Sequence, residues 1–216
     1  MCGRYAIFAE PSKLKDMFGT ENILNIAPRY NAAPMQDMPI IIKTRMGMAR
    51  WGLLPPWAKN DDASLAVKMM NARSETVHEK PSFRDSWEKR RRCLIPVSGF
   101  YEWKKSANAK TKTPYFIHGR DNDVLALVGL WSKWGNDVVT YTILTKQADG
   151  PIADLHHRMP VIVPASQSEK WFGADTAQAH QMMADASGTS LAFHAVSNQV
   201  GAVKNDYKEL VDAVAA

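Results

Sequence analysis

Cysteine is scarce in this chain, long apolar runs are missing, and there is no repeat or low-complexity tract. The two cysteines, Cys2 and Cys93, show no Cys-x-x-Cys spacing. That excludes a disulfide-built scaffold and a thiolate zinc cluster, and it suits a reducing compartment. No apolar segment reaches the roughly 18–20 residues that a spanning helix needs, and the amino terminus lacks the basic stretch and apolar run of a secretory signal. A soluble cytoplasmic protein with no membrane association is therefore expected, monomeric in the simplest case. Without Ser/Gly linkers, 216 residues of 45% hydrophobic composition predict one domain, residues 1–216, around one core.

Charge is present but unevenly spread. The net charge is +5, and residues 84–112 hold nine Lys/Arg against three Asp/Glu, centred on Lys89-Arg90-Arg91-Arg92. Such a balance permits a polyanionic partner without identifying one; taken alone, the run reads as a solvated helix end.

Short apolar segments suited to strands recur at 4–8, 38–43, 48–52, 93–97, 100–104, 114–118, 124–131, 138–145 and 160–163. Several are separated by short polar turns, such as 119–123 and 135–137, which favours antiparallel pairing over βαβ units. Helices are expected over 11–18, 81–91, 166–172 and 175–186, with Ser12 and Ser166 as caps and Gly19 and Gly173 as stops. The fold class is α+β: a mainly antiparallel, barrel-like sheet with flanking helices.

Four stretches carry possible chemistry. Met1-Cys2-Gly3 would present a 1,2-aminothiol if Met1 were removed; such a group condenses with an aldehyde and closes a thiazolidine ring, or attacks a carbonyl with its own amine as base. The alternative is an ordinary second residue. Glu102, in Gly99-Phe100-Tyr101-Glu102-Trp103, shares a strand face with Phe100, where a carboxylate could act as general acid or base; an outward-facing glutamate is the plainer option. His156 and His157 should point to opposite faces of an extended segment, which suits one catalytic histidine better than a metal pair, with Arg158 on the His156 side. Asn71-Ala72-Arg73-Ser74-Glu75-Thr76 offers an amide and a guanidinium, or simply a polar turn with a capping serine. Trp57 stands in a Pro-broken loop, either to bind or to fold back on the core.

Together these stretches resemble the SRAP family of SOS-response-associated peptidases. The matching blocks are Cys2-Gly3-Arg4-Tyr5, Arg29-Tyr30-Asn31-Ala32-Ala33-Pro34, Trp51-Gly52 with Pro55 and Trp57, residues 71–76, Arg92-Cys93 with Pro96, residues 99–104, and His156-x-Arg158-x-Pro160. A weaker tail match runs through His194, Ser197 and Asn205. The resemblance implies removal of Met1, a mature chain starting at Cys2, and covalent capture of abasic sites in single-stranded DNA as a thiazolidine crosslink. A lyase side activity and self-processing are implied as well. Carried over, Cys2, Asn71, Glu102 and His156 are the catalytic group. Arg4, Arg73 and Arg158 hold phosphates, Trp57 stacks on a base or wedges a duplex, and Asn31, Pro34 and Thr145 line the DNA channel. No metal or cofactor is implied, and association with the nucleoid follows from DNA binding. The competing expectations are an amino-terminal-nucleophile amidohydrolase or peptidase and a non-catalytic single-strand-binding module. The first would need an Asn-Gly pair, which the chain does not contain.

Overall fold

A ring of five strands forms the centre of the molecule. The computed structural model describes residues 2–105, 112–121, 123–135 and 137–214. Within them the strands are β1 (Tyr5–Ile7), β2 (Arg29–Ala32), β3 (Asp37–Ile42), β4 (Arg45–Trp51), β5 (Asn71–Arg73), β6 (Arg92–Val97), β7 (Gly99–Lys105), β8 (Lys112–Gly119), β9 (Leu125–Trp134), β10 (Val138–Gln147), β11 (Arg158–Pro160), β12 (Ile162–Val163) and β13 (Leu191–Ala195). The helices are α1 (Pro11–Phe18), α2 (Ala63–Lys68), α3 (Pro81–Glu88), α4 (Ser168–Gly173) and α5 (Thr176–Asp185).

Strands β10, β4, β3, β6 and β9 pair in that order, and β9 returns to β10. Closure leaves these five strands without a free edge. Every residue of β6 is buried, as expected of a strand covered on both faces. β5 and β11 extend the barrel from β10, and β12 extends it from β9. A second, antiparallel sheet runs in the order β13-β8-β7-β1-β2. Most of the buried side chains form one large core, and the outer side of the second sheet carries a smaller cluster of Ala6, Tyr101, Phe116, Val196, Val200 and Leu210.

The α+β class and the mainly antiparallel barrel with flanking helices agree with the sequence. The differences are local. β4 and β5 both run parallel to β10, the parallel minority in a sheet expected to be mainly antiparallel, and β2, β5, β13 and α2 were not anticipated. Residues 160–163 divide into β11 and β12, because Val161 donates its amide to Leu144 while its carbonyl accepts from Val128, so the chain crosses from one strand of the ring to the next. Ser12 does not cap α1: Glu10 is the N-cap, Pro11 fills the first turn, and no side chain caps the helix. Ser166 lies inside a 3-10 turn, Ala165–Gln167, ahead of α4. Gly19 does end α1 in the left-handed region, at φ 61°. Met1 and residues 106–111, which include Lys110, lie outside the described residues.

Candidate active site

The alternation of β7 decides where Glu102 points. Phe100 packs into the main core, while Tyr101 and Trp103 pack with the outer cluster. Glu102 therefore takes the Phe100 side, and it is 4% exposed. Cys2 is fully buried on that side. Its carbonyl accepts a 2.7 Å hydrogen bond from Asn71 Nδ2, at the start of β5. Its thiol leans on the Arg4 carbonyl at 3.8 Å. Burial, and then the neighbouring Glu102 charge, push the thiol well above its ordinary value. Any nucleophilic step at this thiol would need a base.

β10 organises the remaining candidates. Thr145 pairs with Arg73 on one side and Pro160 on the other, and its hydroxyl donates to Ala72 O at 3.3 Å. Arg158 makes a bidentate pair with Glu75, at 2.6 and 2.9 Å, and also donates to the Thr145 carbonyl. That guanidinium holds Glu75 below its ordinary carboxylate value. His156 Nδ1 lies 2.9 Å from the Arg158 amide nitrogen; when Nδ1 accepts that proton, the ring's own proton sits on Nε2.

The adjacent histidines do not point apart. Their rings stack, with centroids 4.3 Å apart, because a 3-10 helix (Gly150–Asp154) and a helical Leu155 precede them, and the chain becomes extended only at Arg158. The exposed His157 is lowered from its ordinary value, first by the charge of His156.

The proposed DNA contacts divide into two groups. Trp57 is 56% exposed and Arg73 is exposed, while Pro34 sits half-buried in a turn. By contrast, Asn31 and Thr145 are fully buried, and the Arg158 side chain is committed to Glu75 and Thr145. Arg4 is tied to Asn31 Oδ1, Val200 O and Gly201 O. In the basic run, Lys89 and Arg91 pair with Asp85 and Arg92 donates to the carbonyls of Trp171, Ala174 and Asp175, while Arg84 meets Glu88 within the helix. A hollow of about 560 Å³ near Met17, Ile162, Lys170 and Met182 has none of the candidate catalytic residues in its wall.

Two contributors escaped the sequence. Glu75 lay inside a quoted block without a role, although an acid two residues from Arg73 was a visible partner for some arginine. Asp206, which accepts from Arg29 Nε and from the amides of Tyr30 and Asn31, carried no local signal.

The family model for SOS response associated peptidase (SRAP) matches residues 1–203. Abasic site processing protein YoqW of Bacillus subtilis (strain 168) is 36% identical over 227 residues, covering 99% of this chain and 100% of that protein. Abasic site processing protein YobE of the same organism is 40% identical over 182 residues, covering 79% of this chain and 81% of that one. A crystal structure of a protein from Bacteroides thetaiotaomicron aligns with a TM-score of 0.85 over 99% of this chain and 100% of that chain; at 24% identity, this is a likeness of fold. On the family match and the extent of these alignments, the chain belongs to the SRAP family.

Proposed function

We propose that this chain processes abasic sites in single-stranded DNA, capturing them covalently at Cys2 after Met1 has been removed. The observation that carries the proposal is the buried junction of Cys2 with Asn71 and Glu102, in a chain whose relatives are named abasic site processing proteins.

The open form of an abasic sugar carries an aldehyde. The Cys2 α-amine adds to that carbon, and loss of water leaves a Schiff base. The thiol then adds to the same carbon, its proton passes to the imine nitrogen, and a thiazolidine results. Glu102 relays the thiol proton, and Asn71 fixes the Cys2 carbonyl so that amine and thiol approach from one side. His156 protonates the ring oxygen as the sugar opens.

Arg73 meets a phosphate and Trp57 a base, since both are exposed, and Pro34 edges the channel. Asn31, Thr145, Arg4 and Arg158 shape the floor beneath. If the Schiff base loses its 3′ phosphate by β-elimination before the thiol closes the ring, the strand is cut, which gives a lyase side activity. Self-removal of Met1 by the same thiol completes the proposal.

The test uses an oligonucleotide with one abasic site and protein whose mature terminus has been checked by intact mass. Wild type is expected to give a denaturation-resistant adduct, and Cys2→Ala to lose at least ~100-fold in rate. An equal adduct in both proteins, or none in either, refutes the mechanism. Protein retaining Met1 should behave as Cys2→Ala does.

A further inference from the structure

Arg4, two residues after Cys2, is held from both ends. Its carbonyl accepts from the Tyr101 amide at 2.9 Å, which fixes the backbone to β7. Its guanidinium donates to Asn31 Oδ1 and Val200 O, both at 2.9 Å, and to Gly201 O at 3.2 Å. Asn31 is in turn saturated: besides accepting from Arg4, its amide nitrogen faces the carbonyls of Val200, Ala202 and Asn205 at 3.1, 3.1 and 2.8 Å. Asp206 closes the set, accepting from the Tyr30 and Asn31 amides at 2.6 and 3.1 Å and from Arg29 Nε at 2.5 Å.

β2 is the edge strand of the second sheet, and an edge leaves amides without a partner strand. Here a carboxylate, not another strand, takes up two of them. The segment that carries it, residues 198–206, is thereby bound to β2, and through Arg4 to the residues that lead into Cys2. β1 itself is only three residues long, and its pairing with β2 is irregular between Tyr5 and Ile7. The ladder alone is a weak anchor for a terminus that must present two reacting atoms.

We infer that Asn31 and Asp206 are positioning residues for the amino-terminal nucleophile, acting through Arg4: they clamp residues 198–206 to β2 and so fix where Cys2 lies. This rests on the proposed role of Cys2, and it gives Asn31 a task other than touching DNA. A fully buried amide with every polar atom engaged has nothing left for a ligand. Near-attack geometry is sensitive to displacements of about 1 Å, so loosening the clamp should slow chemistry more than it weakens binding.

The experiment compares wild type, Asp206→Ala, Asp206→Asn and Asn31→Ala, each with Met1 removed. Single-turnover crosslinking at saturating abasic single-stranded DNA gives the maximal rate. Affinity for a non-reactive tetrahydrofuran-site oligonucleotide is measured in the Cys2→Ala background. Asp206→Ala should lower the maximal rate roughly tenfold while affinity moves less than about twofold, and Asp206→Asn should recover part of the rate. An unchanged maximal rate, or a loss confined to affinity, overturns the inference.

A second readout needs no DNA: alkylation of Cys2 by iodoacetamide, mapped by mass, with buried Cys93 as the internal reference. Cys2 should label roughly tenfold faster in Asp206→Ala while Cys93 does not change. Equal acceleration at both cysteines would signal general unfolding, and no acceleration would refute the clamp. If wild type forms no Cys2-dependent adduct, the proposed function fails, yet the alkylation comparison still decides whether Asp206 positions the terminus.

Discussion

The proposed chemistry asks Cys2 to be both buried and reactive. Burial among Tyr5, Tyr141 and Glu102 pushes its thiol up, which would protect it from casual oxidation and slow the proposed ring closure. Because the thiol is raised, its thiolate fraction should climb about tenfold per pH unit past the ordinary thiol value of about 8.5. In Glu102→Gln, where only the free thiolate can close the ring, the borohydride-trappable Schiff base should therefore form a falling share of total adduct from about pH 6 to about pH 9. A share that is constant across that range in this variant would mean that a group other than Glu102 takes the thiol proton. At this scale the sequence spoke clearly for Glu102, since alternation within one strand sufficed. It misled for the histidine pair, whose direction depends on the 3-10 turn before it. Arg4 and Arg158 were legible as guanidiniums but not as occupied ones, because their partners lie far away in the chain at Val200 and Glu75.

β11 and the turn after β5 are joined by the Arg158–Glu75 pair, and that link has a pH signature. Glu75 titrates below its unfolded value when paired. The stability it contributes is therefore present above about pH 4.3 and is lost as pH falls through the lower folded value. Glu75 is half exposed, so after solvent screening the contribution is about 1 kcal/mol. Urea midpoints of wild type and Glu75→Gln should differ at pH 7 and converge below about pH 4; a gap that persists in acid would assign the effect to packing. Strands with long apolar runs, such as β6, β9 and β10, could be seen in the sequence. β5 could not, because Asn71-Ala72-Arg73 is three residues long, too short for a pattern to show, and is a strand only through its parallel partner β10. Polar β2, whose amides are taken up by Asp206, was hidden for the same reason.

Two packing units, the barrel core and the outer cluster, share the second sheet between them. The outer cluster draws Val196, Val200 and Leu210 from the last part of the chain, so that segment belongs to the fold and is not a loose tail. Truncating the fully buried Leu210 to Ala should cost about 3 kcal/mol, read as a lower urea midpoint with an unchanged slope. A loss under about 0.5 kcal/mol would show that the cluster contributes little. The class and the barrel were legible because many short strands with polar turns leave few other arrangements. The closure was not, since it depends on β4 lying parallel to β10, and no local pattern encodes a pairing between residues 50 and 140.

The bond from Arg4 to Val200, together with the grip of Asp206 on β2, also sets a timetable. A ribosome makes residues 2–4 well before residues 200–206. An unfinished chain would carry its terminal cysteine without the anchor that orients it. The clamp therefore makes the seating of residues 2–4 wait for residues 198–206, so a chain stalled before them would hold Cys2 without its anchor.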